Sequence, residues 1–236
     1  MHATERMKNV LSFAEQVTSA GFAVVPDVFT RVEMDRLATE LEGTPLQRSR
    51  AGIRHLMNQS AIRELAFDSR LLSNAREIIG ESAFPFHATL FAKSTEANWL
   101  VAWHQDTALP LRERRDVSGW GPWSIKSGVE YAHAPAKALE QVLAIRVHID
   151  DSTTQNGSLR VVPNTHARGV LTDEQIHQLS TEIEPVECTV GKGGLVLMRP
   201  LIVHASSKAS SAQSRRVVHI EYAAQRLFDG LDLAIA

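Results

Sequence analysis

The sequence predicts an α+β fold: a jelly-roll core of two β-sheets with N-terminal helices packed on the major sheet. Three observations carry that reading. Helix caps crowd into the first third of the chain. From Phe84 onward the pattern changes to short apolar runs separated by turn residues. The length, 236 residues, suits one domain with a substantial core. The expected organisation is a single domain over residues 1–236, helix-rich over 1–83, with the jelly-roll core over about 84–225.

Each element has a local cause. An amphipathic segment from about Glu5 to Ser19 is closed by Gly21, a favourable residue just past a helix end. Phe22-Ala-Val-Val25 reads as a strand stopped by Pro26. Thr30-Arg-Val-Glu33 is a capping box and predicts a helix to about Leu41, before Gly43. Ser60 and Asp68 open two more helices that end near Gly80. Strands are predicted at Phe86–Lys93, Leu100–His104, Val142–Ile149, Ser158–Val162, Val186–Val190, Leu195–Met198 and Val217–Tyr222. Gln155-Asn-Gly-Ser158 is the strongest hairpin signal, and Lys192-Gly-Gly194 is a second turn. Thr172-Asp-Glu-Gln175 caps a short helix inserted between strands.

Composition narrows the function classes. Apolar content of 44% and charged content of 22% are ordinary for a soluble globular protein. A formal net charge of −2 gives no electrostatic reason to expect nucleic acid or a membrane as partner. The single cysteine, Cys188, excludes an intrachain disulfide and a cysteine-rich zinc site, and suits a reducing cytoplasm. No signal-peptide pattern opens the chain, and no apolar run approaches the roughly 20 residues that span a bilayer. A cytoplasmic protein acting on a small molecule is the expectation; oligomeric state is open.

The chemistry concentrates at His104-Gln105-Asp106, which follows the apolar run Trp99-Leu-Val-Ala-Trp103. Residues two apart on a strand project to one face, so an imidazole and a carboxylate stand side by side. A third donor, His204, ends the run Leu195-Val-Leu-Met-Arg-Pro-Leu-Ile-Val203. Two imidazoles and one carboxylate form the facial set that suits Fe(II) with open positions. Arg215 and Arg216 follow at the start of a strand, so one faces inward and one outward. An inward guanidinium in a barrel needs an anion. The distal carboxylate of 2-oxoglutarate is one candidate, gripped by Arg215 with help from Ser206. Arg146 shares strand parity with His148, and inward placement makes it a second anion clamp. The excursion Thr107–Pro135 is the expected substrate-recognition loop, with Trp120, Trp123 and Arg112 as contacts.

The motifs together resemble the phytanoyl-CoA dioxygenase-like family of Fe(II)/2-oxoglutarate oxygenases. They are Gly21-Phe-Ala-Val-Val-Pro26, Trp103-His-Gln-Asp106, Asp150 through His166, Gly191–Met198, His204-Ala-Ser206 and Arg215–Tyr222. The resemblance implies a double-stranded β-helix of cupin-like form. It also implies His104, Asp106 and His204 as the catalytic iron ligands, Arg215 and Ser206 as 2-oxoglutarate contacts, and Lys93 as a further cosubstrate contact. The cofactors implied are Fe(II), 2-oxoglutarate and O2, and the products succinate, CO2 and a hydroxylated metabolite. Halogenating relatives carry Gly or Ala at the carboxylate position, so Asp106 favours hydroxylation. Asn164 and Thr165 depart from the family's Gly-Ser and read as turn variation away from the chemistry. Two other readings use the same donors: a metal-dependent cupin-like hydrolase or isomerase, and a non-catalytic ligand-binding barrel.

Overall fold

A computed structural model describes residues 11–43, 52–94 and 97–236. In chain order, helix α1 (Phe13–Ala20) leads into β1 (Phe22–Val25), followed by helices α2 (Arg31–Glu42), α3 (Ser60–Ala66) and α4 (Ser69–Ile79). Strands β2 (Phe84–Lys93), β3 (Val101–His104), β4 (Ala108–Leu111), β5 (Trp123–Lys126) and β6 (Val129–His133) come next. The short helix α5 (Ala136–Leu139) precedes β7 (Val142–His148) and β8 (Leu159–Val162), and α6 (Asp173–Glu182) precedes β9 (Val186–Cys188). The chain closes with β10 (Leu195–Met198), β11 (Val203–Ser206), β12 (Arg215–Ala223) and the small pair β13 (Leu227–Phe228) and β14 (Leu231–Asp232).

Local chemistry sets the helix ends. The first helix starts at Phe13, later than Glu5, because Ser12 and Glu15 form a capping box; the predicted stretch 5–10 lies outside the described residues. Gly21 ends it at φ 89°, and a Cβ there would stand 2.5 Å from His166 Nδ1. Thr30 and Glu33 cap α2, and Thr172 and Gln175 cap α6, as their sequences predict.

All strand pairing is antiparallel. A five-stranded sheet has the order β1-β10-β7-β12-β2, and a four-stranded sheet the order β3-β11-β8-β9. Strand alternation divides the large sheet's residues cleanly. Leu143, Ile145, Val147, Val218, Ile220 and Tyr222 face the helices in one buried cluster with Val17, Met34, Leu56, Ile62 and Leu71. Each such side chain, fully buried, is worth roughly 1.5–3 kcal/mol. Tyr222 also donates its hydroxyl to the Ala66 carbonyl at 2.7 Å, tying α3 to β12. The intervening residues face the smaller sheet: Ala144, Val196 and Met198 pack against Leu159, Val161 and Cys188.

Two expectations are corrected. The Asn156-Gly157 turn makes no hairpin, because β7 belongs to the large sheet and β8 to the small one; the turn carries the chain across. The excursion Thr107–Pro135 is no open loop but contains a three-stranded sheet, order β4-β6-β5. Its apolar face is covered by the C-terminal pair, through Phe228, Leu231 and Leu233 against Leu109, Leu111 and Trp120.

Candidate metal centre and its cavity

His104 and His204 are direct cross-strand partners on β3 and β11. Pairing at one register position puts both imidazoles on the same face, with ring centroids 4.2 Å apart. Asp106 follows just beyond β3, its N–H donating to the Pro200 carbonyl at 2.9 Å. Its Oδ1 lies 3.6 Å from His104 Nε2 and its Oδ2 3.5 Å from His204 Nε2. One ligand atom from each residue lies within 4.8 Å of the others, a spacing that can hold one metal ion.

Both imidazoles are oriented by the backbone. His104 Nδ1 pairs with the Ala102 carbonyl at 2.8 Å and His204 Nδ1 with the Ile202 carbonyl at 2.9 Å. Donation from Nδ1 fixes the tautomer and leaves the Nε2 lone pairs pointing at the gap. Burial, then His104, holds the His204 imidazole down to about 4, so it is neutral at pH 7. Burial pushes the Asp106 carboxyl up, but His204 and His104 outweigh it and hold it down at about 2. An ionised carboxylate beside a neutral imidazole is the protonation state a divalent cation requires.

Between the two ligands, Gln105 points the other way, as strand alternation demands. Its Nε2 donates to the Leu201 and Gly169 carbonyls, at 2.7 and 2.9 Å, and its Oε1 accepts from Leu171 N–H at 2.8 Å. It clamps the ligand-bearing strand to the segment before His204. Thr165 is closer to this centre than its sequence suggests. Its hydroxyl accepts from Val203 N–H at 2.9 Å and donates to Val162, pinning the residue next to His204.

The triad opens into a cavity of about 350 Å³. One end is lined by Arg215, Lys93 and Ser206. Arg215 is 2% exposed, and its Nε and Nη1 are buried without a partner. Lys93, its cross-strand neighbour, donates to Ser206 Oγ at 2.7 Å and to the Ser207 carbonyl. Ser206 Oγ in turn donates to the Gly157 carbonyl at 2.7 Å, so the Asn-Gly turn buttresses this end. Arg146, whose direction the sequence left open, faces the cavity and donates from Nη1 to His219 Nδ1 at 3.2 Å. Burial lowers all these cations: Arg215 to about 9, Arg146 to about 10, and Lys93 to about 7 with help from Arg215. Three buried cations crowd together here, and the unpartnered donors of Arg146 and Arg215 are groups that an anion could satisfy. The adjacent Arg216 faces out and forks onto Asp150 at 2.8 and 2.9 Å.

The opposite end was not legible in the sequence. His87 Nδ1 lies 2.6 Å from Glu221 Oε2, and the Tyr131 hydroxyl lies 3.1 Å from His87 Nε2 and 2.9 Å from His55 Nε2. Lys126 and Arg54 line the same end. The excursion Thr107–Pro135 therefore does wall the cavity, but through Thr107, Lys126, Tyr131 and His133. The three expected substrate contacts lie elsewhere. Trp120 is packed in the apolar cluster under the C-terminal pair and donates its indole N–H to Asp229 at 2.9 Å. Trp123 packs on that cluster with the Arg114 guanidinium 5.8 Å over its ring, and Arg112 pairs with Asp232 at 3.2 Å. The sheet formed by the excursion uses these side chains for its own core and rim, so none lines the cavity.

The sequence pattern of the phytanoyl-CoA dioxygenase (PhyH) family matches residues 17–217. An L-proline trans-4-hydroxylase from Streptomyces griseoviridis is 22% identical over 178 residues, 64% of this chain. That alignment spans 59% of the relative's length. Among solved structures, EctD from S. alaskensis with 2-oxoglutarate and 5-hydroxyectoine matches with a TM-score of 0.69 at 19% identity, over 94% of this chain and 78% of that one. HygX from Streptomyces hygroscopicus with nickel and 2-oxoglutarate bound matches with a TM-score of 0.64 at 18% identity, over 88% of this chain and 84% of that one. These likenesses establish a shared fold.

Proposed function

The chain belongs to the phytanoyl-CoA dioxygenase family, whose members depend on Fe(II), 2-oxoglutarate and O2, and from that premise we propose that it hydroxylates a small organic metabolite. The observation that carries this reading is the pairing of two features in one cavity: a His-Asp-His triad and a buried arginine with unpartnered donors. The two facing antiparallel sheets support a double-stranded β-helix of jelly-roll, cupin-like form, and we read residues 1–236 as one domain built on it.

Both halves of the site fit the groups the family uses. His104, Asp106 and His204 would hold Fe(II): two neutral imidazoles and a carboxylate are the donor set this ion takes. Arg215 would grip the distal carboxylate of 2-oxoglutarate, the anion its buried Nε and Nη1 lack. When bound, iron, 2-oxoglutarate and O2 supply the oxidising power that places oxygen on a C–H bond as succinate and CO2 leave. The chain's own residues do the rest. Nδ1 contacts to Ala102 and Ile202 keep the two imidazoles aimed inward. Lys93 and Ser206 brace the carboxylate end, and Arg146 adds positive charge beside the triad. Burial of Arg215 and Lys93 keeps water from competing for the cosubstrate.

A cavity of about 350 Å³ lies at the low end of the roughly 300–1,000 Å³ typical of ligand pockets, which favours a small substrate. The proline hydroxylase relative and the ligand-bound solved structures support the reaction class, and the acyl-CoA of the family name does not transfer with the fold. Among the described residues no helix is long and apolar enough to cross a membrane, and the lone buried thiol Cys188 suits a cytoplasmic setting. The test is succinate release and oxygen uptake with Fe(II) and 2-oxoglutarate over a metabolite panel. Turnover is expected only with all three of iron, 2-oxoglutarate and O2. Full activity with zinc under nitrogen would instead assign a metal-dependent hydrolase or isomerase.

A further inference from the structure

We propose that the cavity end remote from Arg215 is a recognition site for an anionic group on the substrate, held by Lys126. The proposal rests on the reaction class above and adds the chemical class of the molecule oxidised.

Strand β12 lays out the cavity. Arg215, His219 and Glu221 share its interior face, and at about 3.4 Å per residue Arg215 and Glu221 stand about 20 Å apart along the strand. At mid-strand His219 pairs across the sheet with Arg146, and both lie close enough to influence the Asp106 carboxylate, between the two ends of the strand. Arg215, Lys93 and Ser206 lie on one side. Glu221, His87, Tyr131, Lys126 and Arg54 lie on the other.

On this second side the one carboxylate among the described lining residues is already committed. Glu221 accepts from His87 Nδ1–H, His87 Nε2 accepts from the Tyr131 hydroxyl, and the Tyr131 oxygen accepts from His55 Nε2–H, a consistent assignment of every proton in the string. Lys126 has no such partner. Its ammonium sits 4.4 Å above the Tyr131 ring, half-buried, and makes no ion pair among the described residues. Its position is fixed by the two-residue turn at Ser127 and Gly128, both at positive φ, which joins β5 to β6. Burial, then the neighbouring Arg54 guanidinium, lowers its pKa; the Glu221 and Asp106 carboxylates oppose this only from beyond ion-pair contact, so no counter-charge touches the ammonium. A bound carboxylate or phosphate would supply that charge and place the rest of a small molecule between Tyr131 and the triad.

The test uses protein loaded with Ni(II) and 2-oxoglutarate, so that no turnover occurs, and saturation-transfer NMR. The probes are small aliphatic carboxylates, phosphate monoesters, and the neutral amides and alcohols matched to them. Charged members are expected to bind and neutral ones not, and whichever charged set binds identifies the group. Lys126→Gln should weaken that binding at least about tenfold, whereas Lys126→Arg should retain it. Equal binding of neutral members, no binding of any charged member, or equal binding by wild type and Lys126→Gln overturns the proposal. The wild-type comparison needs no variant and decides even if Lys126→Gln fails to fold. Charged members that bind but release no succinate with Fe(II) and O2 would count against the reaction class and leave the anion site standing.

Discussion

The two faces of the five-stranded sheet are built from neighbouring residues and could hardly differ more. On β7 and β12, Ile145, Val147, Val218 and Ile220 meet the helices in a dry apolar cluster. One residue along, Arg146, His148, Arg215 and His219 are buried equally deeply but charged or polar. The apolar face gains free energy from being covered. The polar face loses it: His148 has neither ring nitrogen bonded, and Arg146 and Arg215 keep unpartnered donors. A fold keeps such a face only where something else is to be bound, so the contrast separates what holds the sheet together from what the sheet is for.

Substitutions on the two faces should therefore fail differently. The largest effect is expected at the triad. His204→Ala should reduce iron affinity by more than the roughly 10–100-fold that losing an outer-shell partner costs, read by metal titration, with thermal stability little changed. On the other face, Ile220→Ala should cost about 2–5 kcal/mol in denaturant unfolding while each folded molecule keeps its turnover. Arg215→Ala should raise the KM for 2-oxoglutarate, through loss of a charge-assisted fork worth roughly 2–5 kcal/mol. It should leave the ligand-free protein no less stable, since it removes an uncompensated buried cation. A ligand-free protein that is strongly destabilised by Arg215→Ala would erase the distinction between the faces.

Lys93 sharpens the comparison through pH. In the ligand-free cavity its pKa is lowered to about 7 from an ordinary 10.5, by burial first and then by Arg215 and Arg146. Between those values the unfolded chain holds a proton that the folded chain lacks, so the ligand-free protein should gain stability as pH rises through that window. The dianionic cosubstrate favours the charged ammonium. Its binding at about pH 8 should therefore take up a proton, measured by titration calorimetry in buffers of different ionisation heat, and Lys93→Met should remove the uptake. The smallest effect is expected one residue from Arg215. Arg216→Ala loses a partly exposed fork on Asp150 and should cost only about 1 kcal/mol, with the 2-oxoglutarate KM unchanged.

Strand periodicity made much of this arrangement legible before any coordinates. A period of two places His104 with Asp106, and Arg146 with His148, and forces Arg215 and Arg216 apart; only which arginine turns inward needed the structure. Capping boxes at Thr30 and Thr172 announced their helices, whereas the box at Ser12 was hidden inside a longer amphipathic run. The excursion Thr107–Pro135 misled because its strands are four or five residues long and its tryptophans look like pocket walls. The string from Glu221 through His87 and Tyr131 to His55 could not be read at all. Its directly bonded members lie up to 134 positions apart and meet only through β-sheet pairing and the fold of the excursion.

The most direct measurement is an anaerobic titration of Fe(II) into the wild-type protein with 2-oxoglutarate present, followed by visible absorption and by counting bound iron. One iron per chain is expected, with a charge-transfer band that appears only when iron and 2-oxoglutarate are both added, and loss of both signals in His204→Ala. Iron binding that needs neither His204 nor Asp106, or no band with both components bound, would contradict it.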